Sequence, residues 1–205
     1  MKKKTIALFL ALALVVGCAI GGTVAWLTAT TDPVVNTFTT AGIDIELKET
    51  KQSDGTALGK SAWSAKLVPG ASYTKDPTVS VKDTTDVDIW LFVEFKASNV
   101  TYLTYTSTLT SANGWTQGDG TNIPADVWYR EVETTDTPKS WNLLADLTEN
   151  GQSTGKQVAV KHTLTKEIVE ADGFAAPSLT YTAYAIQKDS FATAALAWAE
   201  LNPTT

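Results

Sequence analysis

The stretch Val87–Lys96, VDIWLFVEFK, constrains the fold more than any other part of this 205-residue chain. Ile89, Leu91, Val93 and Phe95 fall on one face of an extended strand, and Trp90 and Phe92 fall on the other. Successive side chains of a strand point to opposite sides, so apolar residues on both sides need cover on both sides. The stretch therefore reads as a central strand, buried for much of its length.

The remaining segments fit around such a strand. Ile43, Ile45 and Leu47 alternate with Asp44, Glu46 and Lys48, which predicts a half-buried strand. Glu49–Ser61 is a polar loop containing Asp54-Gly55. Pro69-Gly70 marks a turn, and Ser72–Val81 is then extended. Pro77 lies inside that run and has no N–H to give a ladder, which predicts an edge or a bulged strand. Val100–Leu109, rich in Tyr and Thr, is predicted extended. Asn113-Gly114 and Gly118-Asp119-Gly120 bracket Trp115, as at a loop or hairpin tip. Ala125–Glu133 is a further strand and carries Trp128 and the only arginine, Arg130. Trp141–Leu147 is short and ambiguous. Within Lys156–Lys166, Val158, Val160, His162 and Leu164 share one face of a predicted strand, and Leu179–Gln187 alternates again. Phe191–Leu201 changes period: Phe191, Ala194, Ala195, Trp198 and Leu201 share one helical face. Ser190 is placed to cap that helix and Asn202-Pro203 to stop it. Many short strands with turns between them, and one short C-terminal helix, predict the all-β class and an antiparallel β-sandwich.

Ahead of the domain stands an export segment. Lys2-Lys3-Lys4 precede an apolar run, Ile6–Ile20, broken only by Gly17, and Thr23-Val24-Ala25 supplies small residues for a cut. This is the pattern of a secretory signal peptide. The division is 1–25 for the signal, 26–40 for the new N-terminal segment and 41–205 for the folded domain, with cleavage between Ala25 and Trp26. Two other readings stay open. Ile6–Leu27 is long enough to remain as a membrane anchor. Val15-Val16-Gly17-Cys18 looks like a lipobox, although the apolar character runs on past Cys18 to Leu27.

The chain carries a formal charge of −6, and loss of the three signal lysines makes it three units more negative. That balance disfavours nucleic acid and anionic membrane surfaces as partners. Contact with a membrane is expected only through the signal before cleavage. Cys18 and Met1 are the only sulfur residues, so the processed chain has no means of forming a disulfide or a thiolate site.

Three stretches together resemble a known group of proteins: KKKTIALFLALALVVGCAIGGTVAWLTATTDPVVNTFT followed by GIDIEL, PGASYTKDPTVSV (69–81) running into DIWLFVEF, and YTAYAIQKDSFATAALAWAELN (181–202). The chain resembles the TasA/camelysin-like secreted proteins with SipW-dependent signal peptides, over both ends and the first third of the processed chain. The middle, from about Ala97 to Ala176, carries no such likeness. The resemblance implies a jelly-roll-like β-sandwich, processed by a SipW-type signal peptidase of a Gram-positive-type cell. It also implies a structural role at the cell surface or in a biofilm matrix. Subunits of such proteins join into a homo-oligomeric fibre by donor-strand exchange, with other matrix proteins or polysaccharide as further partners. The residues are compatible with that mechanism. Trp26, Leu27, Val34, Val35 and Phe38 lie in a segment too short to bury them by itself, and a neighbour's open sheet edge would accept them. The competing reading folds residues 26–40 back as an edge strand of their own domain.

The resemblance also raises an enzymatic reading, since camelysin-like proteins are described as metallopeptidases. A zinc site needs several His or Cys ligands, and this chain has His162 alone. A lone His in line with Val158, Val160 and Leu164 is more often a packed core residue. No G-x-S-x-G setting for a triad is present. Asp83, Asp86 and Asp88, and Asp119 with Asn122, were candidates for calcium, but neither set has EF-hand spacing. Glu131 and Glu133, beside Trp128 and Arg130, were candidates for a glycosidase pair. Trp115, Trp128 and Trp141 were candidates for a sugar platform, with Trp90 assigned to the core. The sequence therefore assigns no catalytic, cofactor-binding or metal-binding residue, and a carbohydrate- or protein-binding module is the alternative to the structural role, with a camelysin-like metallopeptidase third.

Overall fold

The computed structural model describes residues 42–57 and 63–201, and these fall in a compact unit spanning Thr40–Thr205. The signal segment, the cleavage point at Ala25 and Trp26, and the assembly residues Leu27, Val34, Val35 and Phe38 lie outside the described residues.

The chain is mostly β, with antiparallel pairing throughout its ladders. The strands are β1 (Ile45–Lys48), β2 (Ser72–Tyr73), β3 (Thr78–Val81), β4 (Ile89–Ser98), β5 (Leu103–Tyr105), β6 (Thr116–Gln117), β7 (Val127–Val132), β8 (Ser140–Asn142), β9 (Thr148–Glu149), β10 (Gln152–Ser153), β11 (Val158–Val160) and β12 (Ser178–Gln187). Two short helices, α1 (Lys166–Val169) and α2 (Ala194–Leu201), complete the set. The strands form sheets ordered β12-β4-β7-β6, β1-β3-β8 and β2-β11-β5, with β9 and β10 as a separate hairpin.

Strand β4 is the inner strand that the sequence predicts. Ile89, Leu91, Phe92 and Val93 are fully buried, and their alternation feeds two cores. On one face Ile89, Leu91 and Val93 meet Val79 and Val81 of β3, with Leu109, Trp115, Val132 and Leu143. On the other, Phe92 meets Val127, Ile123 and the Ala194, Ala197 and Trp198 face of α2. The helix exists where it does because the second face of β4 needs cover. Trp198 packs 5.2 Å from Phe92 and edge-on to Tyr184 at 5.4 Å. Helix α2 starts later than the sequence suggests. The cap is Thr193, whose Oγ1 accepts the N–H of Leu196 at 3.3 Å, rather than Ser190.

Four other expectations are corrected. Ser72–Val81 is not one edge strand: Pro77 divides it into β2 and β3, which join different sheets, and β3 is the middle strand of its own. Pro77 is fully buried, and its carbonyl accepts the N–H of Leu143 at 2.8 Å, so it ends one strand without exposing a gap. Val100–Leu109 begins as a 3-10 turn, Val100–Tyr102, before β5. Trp115 does not sit at an exposed tip. It is 2 % exposed because β6 folds the loop back onto β7, with Gly118 N–H donating to the Val127 carbonyl at 2.8 Å. A Cβ at Gly118 would lie 2.1 Å from the Pro124 carbonyl oxygen, so this return path needs glycine. Last, Lys156–Lys166 yields only the short β11, and the chain then turns into α1, a second helix that the alternating pattern hides.

Phe92→Ala should cost roughly 3–5 kcal/mol in urea unfolding, because it empties a site between two layers. Leu196→Ala, on a face of α2 that is 56 % exposed, should stay within about 0.5 kcal/mol in the same assay.

Candidate functional site: a cleft beside the last strand

Strand β12 is an edge. Its ten residues pair with β4 alone among the described residues, in continuous register from Ser178 opposite Ser98 to Gln187 opposite Ile89. It carries no charge and no proline, the usual guards of a strand edge. None of its residues is fully buried, although Tyr181, Ala183 and Ala185 pack on the core.

Beside its Ser178 end lies a cleft made of two adjoining cavities of about 330 Å³ each. The first is lined by Tyr73, Leu103, Val158, Val160 and Pro177 among others, and the second by Leu47, Glu49, Pro77 and Tyr181. Trp63, Lys75 and Leu179 belong to the walls of both.

The polar wall is built from the Thr74-Lys75-Asp76-Pro77 stretch. Lys75 is 5 % exposed, and its Nζ donates to Glu49 Oε1 at 2.6 Å and lies 4.4 Å from the Trp63 ring centre. Its backbone N–H donates to Gln157 Oε1 at 2.7 Å. Trp63 Nε1 donates to the Thr74 carbonyl at 2.8 Å, which fixes the indole. Asp76 accepts the N–H groups of Thr50 and Lys51, each at 3.1 Å, and so holds the segment that carries Glu49. Two atoms of this wall are buried without a hydrogen-bond partner among the described residues: Glu49 Oε2 and the Tyr181 hydroxyl. Burial, and then the nearness of Tyr105 and Glu49, push the Tyr181 hydroxyl well above the usual phenol range.

The residues singled out from the sequence lie elsewhere. His162 is exposed in the turn after β11, not on a buried strand face, because the ladder ends at Val160. Its ring lies against Gly70, where a Cβ would meet it at 2.2 Å. Asp86 and Asp88 accept the N–H groups of Gly42 and Thr134, at 2.8 and 2.7 Å, while Asp83 is exposed. Glu131 pairs with Lys188, and Glu133 lies beyond the end of β7, so the two do not form a facing pair on the strand. Among the described residues no group of three or more His, Cys, Asp or Glu side chains is placed to share a metal ion.

Trp115 and Trp141 do not make a flat platform with each other. Trp115 and Trp141 meet edge to face at 6.1 Å, and the Arg130 guanidinium lies 5.3 and 4.3 Å from their ring centres. Burial lowers the pKa of Arg130. Trp128 packs half-buried on the same core, and Trp90 is half-buried against the α2 side.

Sequence reasoning missed Glu49, Trp63, Lys75 and Tyr181. One signal was present: the Pro-Gly-x-x-x-Thr-Lys-Asp-Pro run contains Lys75 between the turn and the buried proline. The chain matches no protein-family model, no curated protein and no solved structure.

Lys75→Met should lose roughly 3–5 kcal/mol in urea unfolding, since it strands a buried carboxylate. The double variant Lys75→Met with Glu49→Leu should recover most of that loss, because an apolar pair replaces a desolvated ion pair at little net cost. Asp119 makes a separate prediction. Its carboxylate accepts the N–H groups of Thr121, Asn122 and Ile123 at 2.9, 2.7 and 3.1 Å, and these bonds hold its pKa below the usual range. The folded state favours the charged form, so the stabilisation is present above the unfolded value of about 3.9 and is lost as pH falls through the lowered one. Asp119→Asn should be less stable than the native chain at neutral pH, with the gap closing on acidification, read from thermal melts across the acid range.

Proposed function

We propose that this chain is a secreted structural protein of the cell surface or biofilm matrix, non-enzymatic, and of the TasA/camelysin-like kind. Its domain is a jelly-roll-like β-sandwich. Cleavage between Ala25 and Trp26 by a SipW-type signal peptidase frees residues 26–40, and that segment docks on the next copy to build a fibre. The observation that carries this reading is the edge of β12: ten residues, uncharged, proline-free, paired on one side among the described residues and flanked by an apolar cleft.

An extended segment added there gains main-chain hydrogen bonds along the strand and apolar burial in the cleft. The contact is head-to-tail and does not close, so it propagates. Trp26–Thr40 spans up to about 50 Å when extended, against about 33 Å for ten strand residues, so the segment is long enough to cover β12. The non-enzymatic part of the reading rests on an exposed, solitary His162 and on acidic side chains engaged with the backbone. The edge-to-face Trp115–Trp141 pair, with Arg130 against both rings, weighs against those two as a flat sugar platform.

The test compares two purified forms by electron microscopy and sedimentation, one starting at Trp26 and one lacking Trp26–Thr40. The longer form should give filaments and the shorter should remain a folded monomer. Thr180→Lys, which places a charge on the exposed β12 edge, should suppress filaments in the longer form. Two folded monomers from the first comparison would defeat the fibre reading.

A further inference from the structure

Three clusters of charged side chains stand out in the described residues: the Arg130 nest, the acidic turn around Asp83–Asp88, and the Glu49–Lys75 wall of the cleft. Arg130 Nε is also buried without a hydrogen-bond partner, but Arg130 lines neither cavity of the cleft; among the described residues the third feature sets an unpartnered carboxylate oxygen beside open volume. Glu49 Oε1 holds Lys75, while Glu49 Oε2 is buried with no donor among the described residues. The cavity that Glu49 lines adjoins one walled by Trp63, Tyr73, Leu103, Val158 and Val160. A ligand suited to this place brings a large apolar ring and, next to it, a cationic N–H donor.

We propose that the cleft is a receptor for the processed N-terminus, taking Trp26 of another copy with its indole in the cavity and its α-ammonium directed at Glu49. This rests on the fibre reading above and on cleavage before Trp26. The segment 26–40 contains no lysine or arginine, so the α-ammonium made by cleavage is its only cation. Trp26 is also its largest apolar side chain and the one whose ring carries an N–H. In the uncleaved chain that nitrogen is a neutral amide, joined to Ala25 and the apolar run, and offers no charge to a carboxylate. Processing therefore creates the recognised group rather than merely releasing a strand. With Trp26 seated beside Leu179, the rest of the arm is free to run along β12 from its Ser178 end.

The experiment measures the critical concentration for filament formation, by sedimentation and electron microscopy, on full processed chains made with defined starts. The chain starting at Trp26 should assemble. A chain starting at Gly21 keeps the whole arm and an unaltered domain but moves the ammonium five residues away. That chain, Trp26→Ala and Glu49→Gln should each raise the critical concentration at least about tenfold. Should Glu49→Gln prove unfolded by circular dichroism, the Gly21 start decides, because its domain is unchanged. Equal assembly of the Gly21 start and the Trp26 start overturns the receptor and leaves the fibre reading standing. Absence of filaments from every form, the Trp26 start included, overturns both.

Discussion

Everything in this molecule depends on covering both faces of β4. Four of the five residues from Ile89 to Val93 are fully buried and lie on both faces of the strand, so no single neighbouring layer can reach them all. One face recruits β3 and the Leu109, Trp115 and Leu143 side chains; the other recruits α2. Burying each such side chain is worth about 1.5–3 kcal/mol, so the four together contribute an amount comparable with the net stability of a small domain. With β4 fixed inside, its neighbours must lie outside it. β7 gains a short further partner in β6, while β12 gains none among the described residues. The edge that β12 presents among the described residues is thus a by-product of where the core had to be.

What the sequence made legible follows from the same physics. β4, β7, β12 and α2 are long enough for their period to outweigh local noise; the three strands stand close to their expected bounds, and α2 ends where expected but starts three residues late. The failures are short elements whose state is set by distant residues. The missing N–H of Pro77 suggests an edge, but its placement is decided by burial and by the Leu143 N–H that its carbonyl accepts. His162 continues an alternating pattern in sequence, yet the ladder partners of β11 run out at Val160. Trp115 is flanked by glycines that do mark turns, and the turns deliver it inward.

The cleft was the least legible part. Lys75 and Glu49 are separated by 26 residues, both in stretches of polar composition, and nothing in periodicity marks a charge that will be buried. Such a pair is paid for by desolvation and regained by proximity, which makes it a poor source of net stability and a good means of fixing one arrangement. Here it fixes the end of β1 against the connection between β2 and β3, with Asp76 holding Thr50 and Lys51 from the same side. Gln157 adds β11 to the group through the Lys75 amide. Three segments from three parts of the chain are so tied at one end of the cleft.

Arg130 has a different consequence. It is the only arginine of the chain, set in the middle of β7 with partners on both sides, its guanidinium held against Trp115 and Trp141. A protease that cuts only after arginine must open that strand from β4 and β6 before it can act. Its single cut would then divide the chain within the sheet. Cleavage at Arg130 would therefore report the opening of β7 from its neighbours, silent while the sheet holds and read as two fragments when it does not.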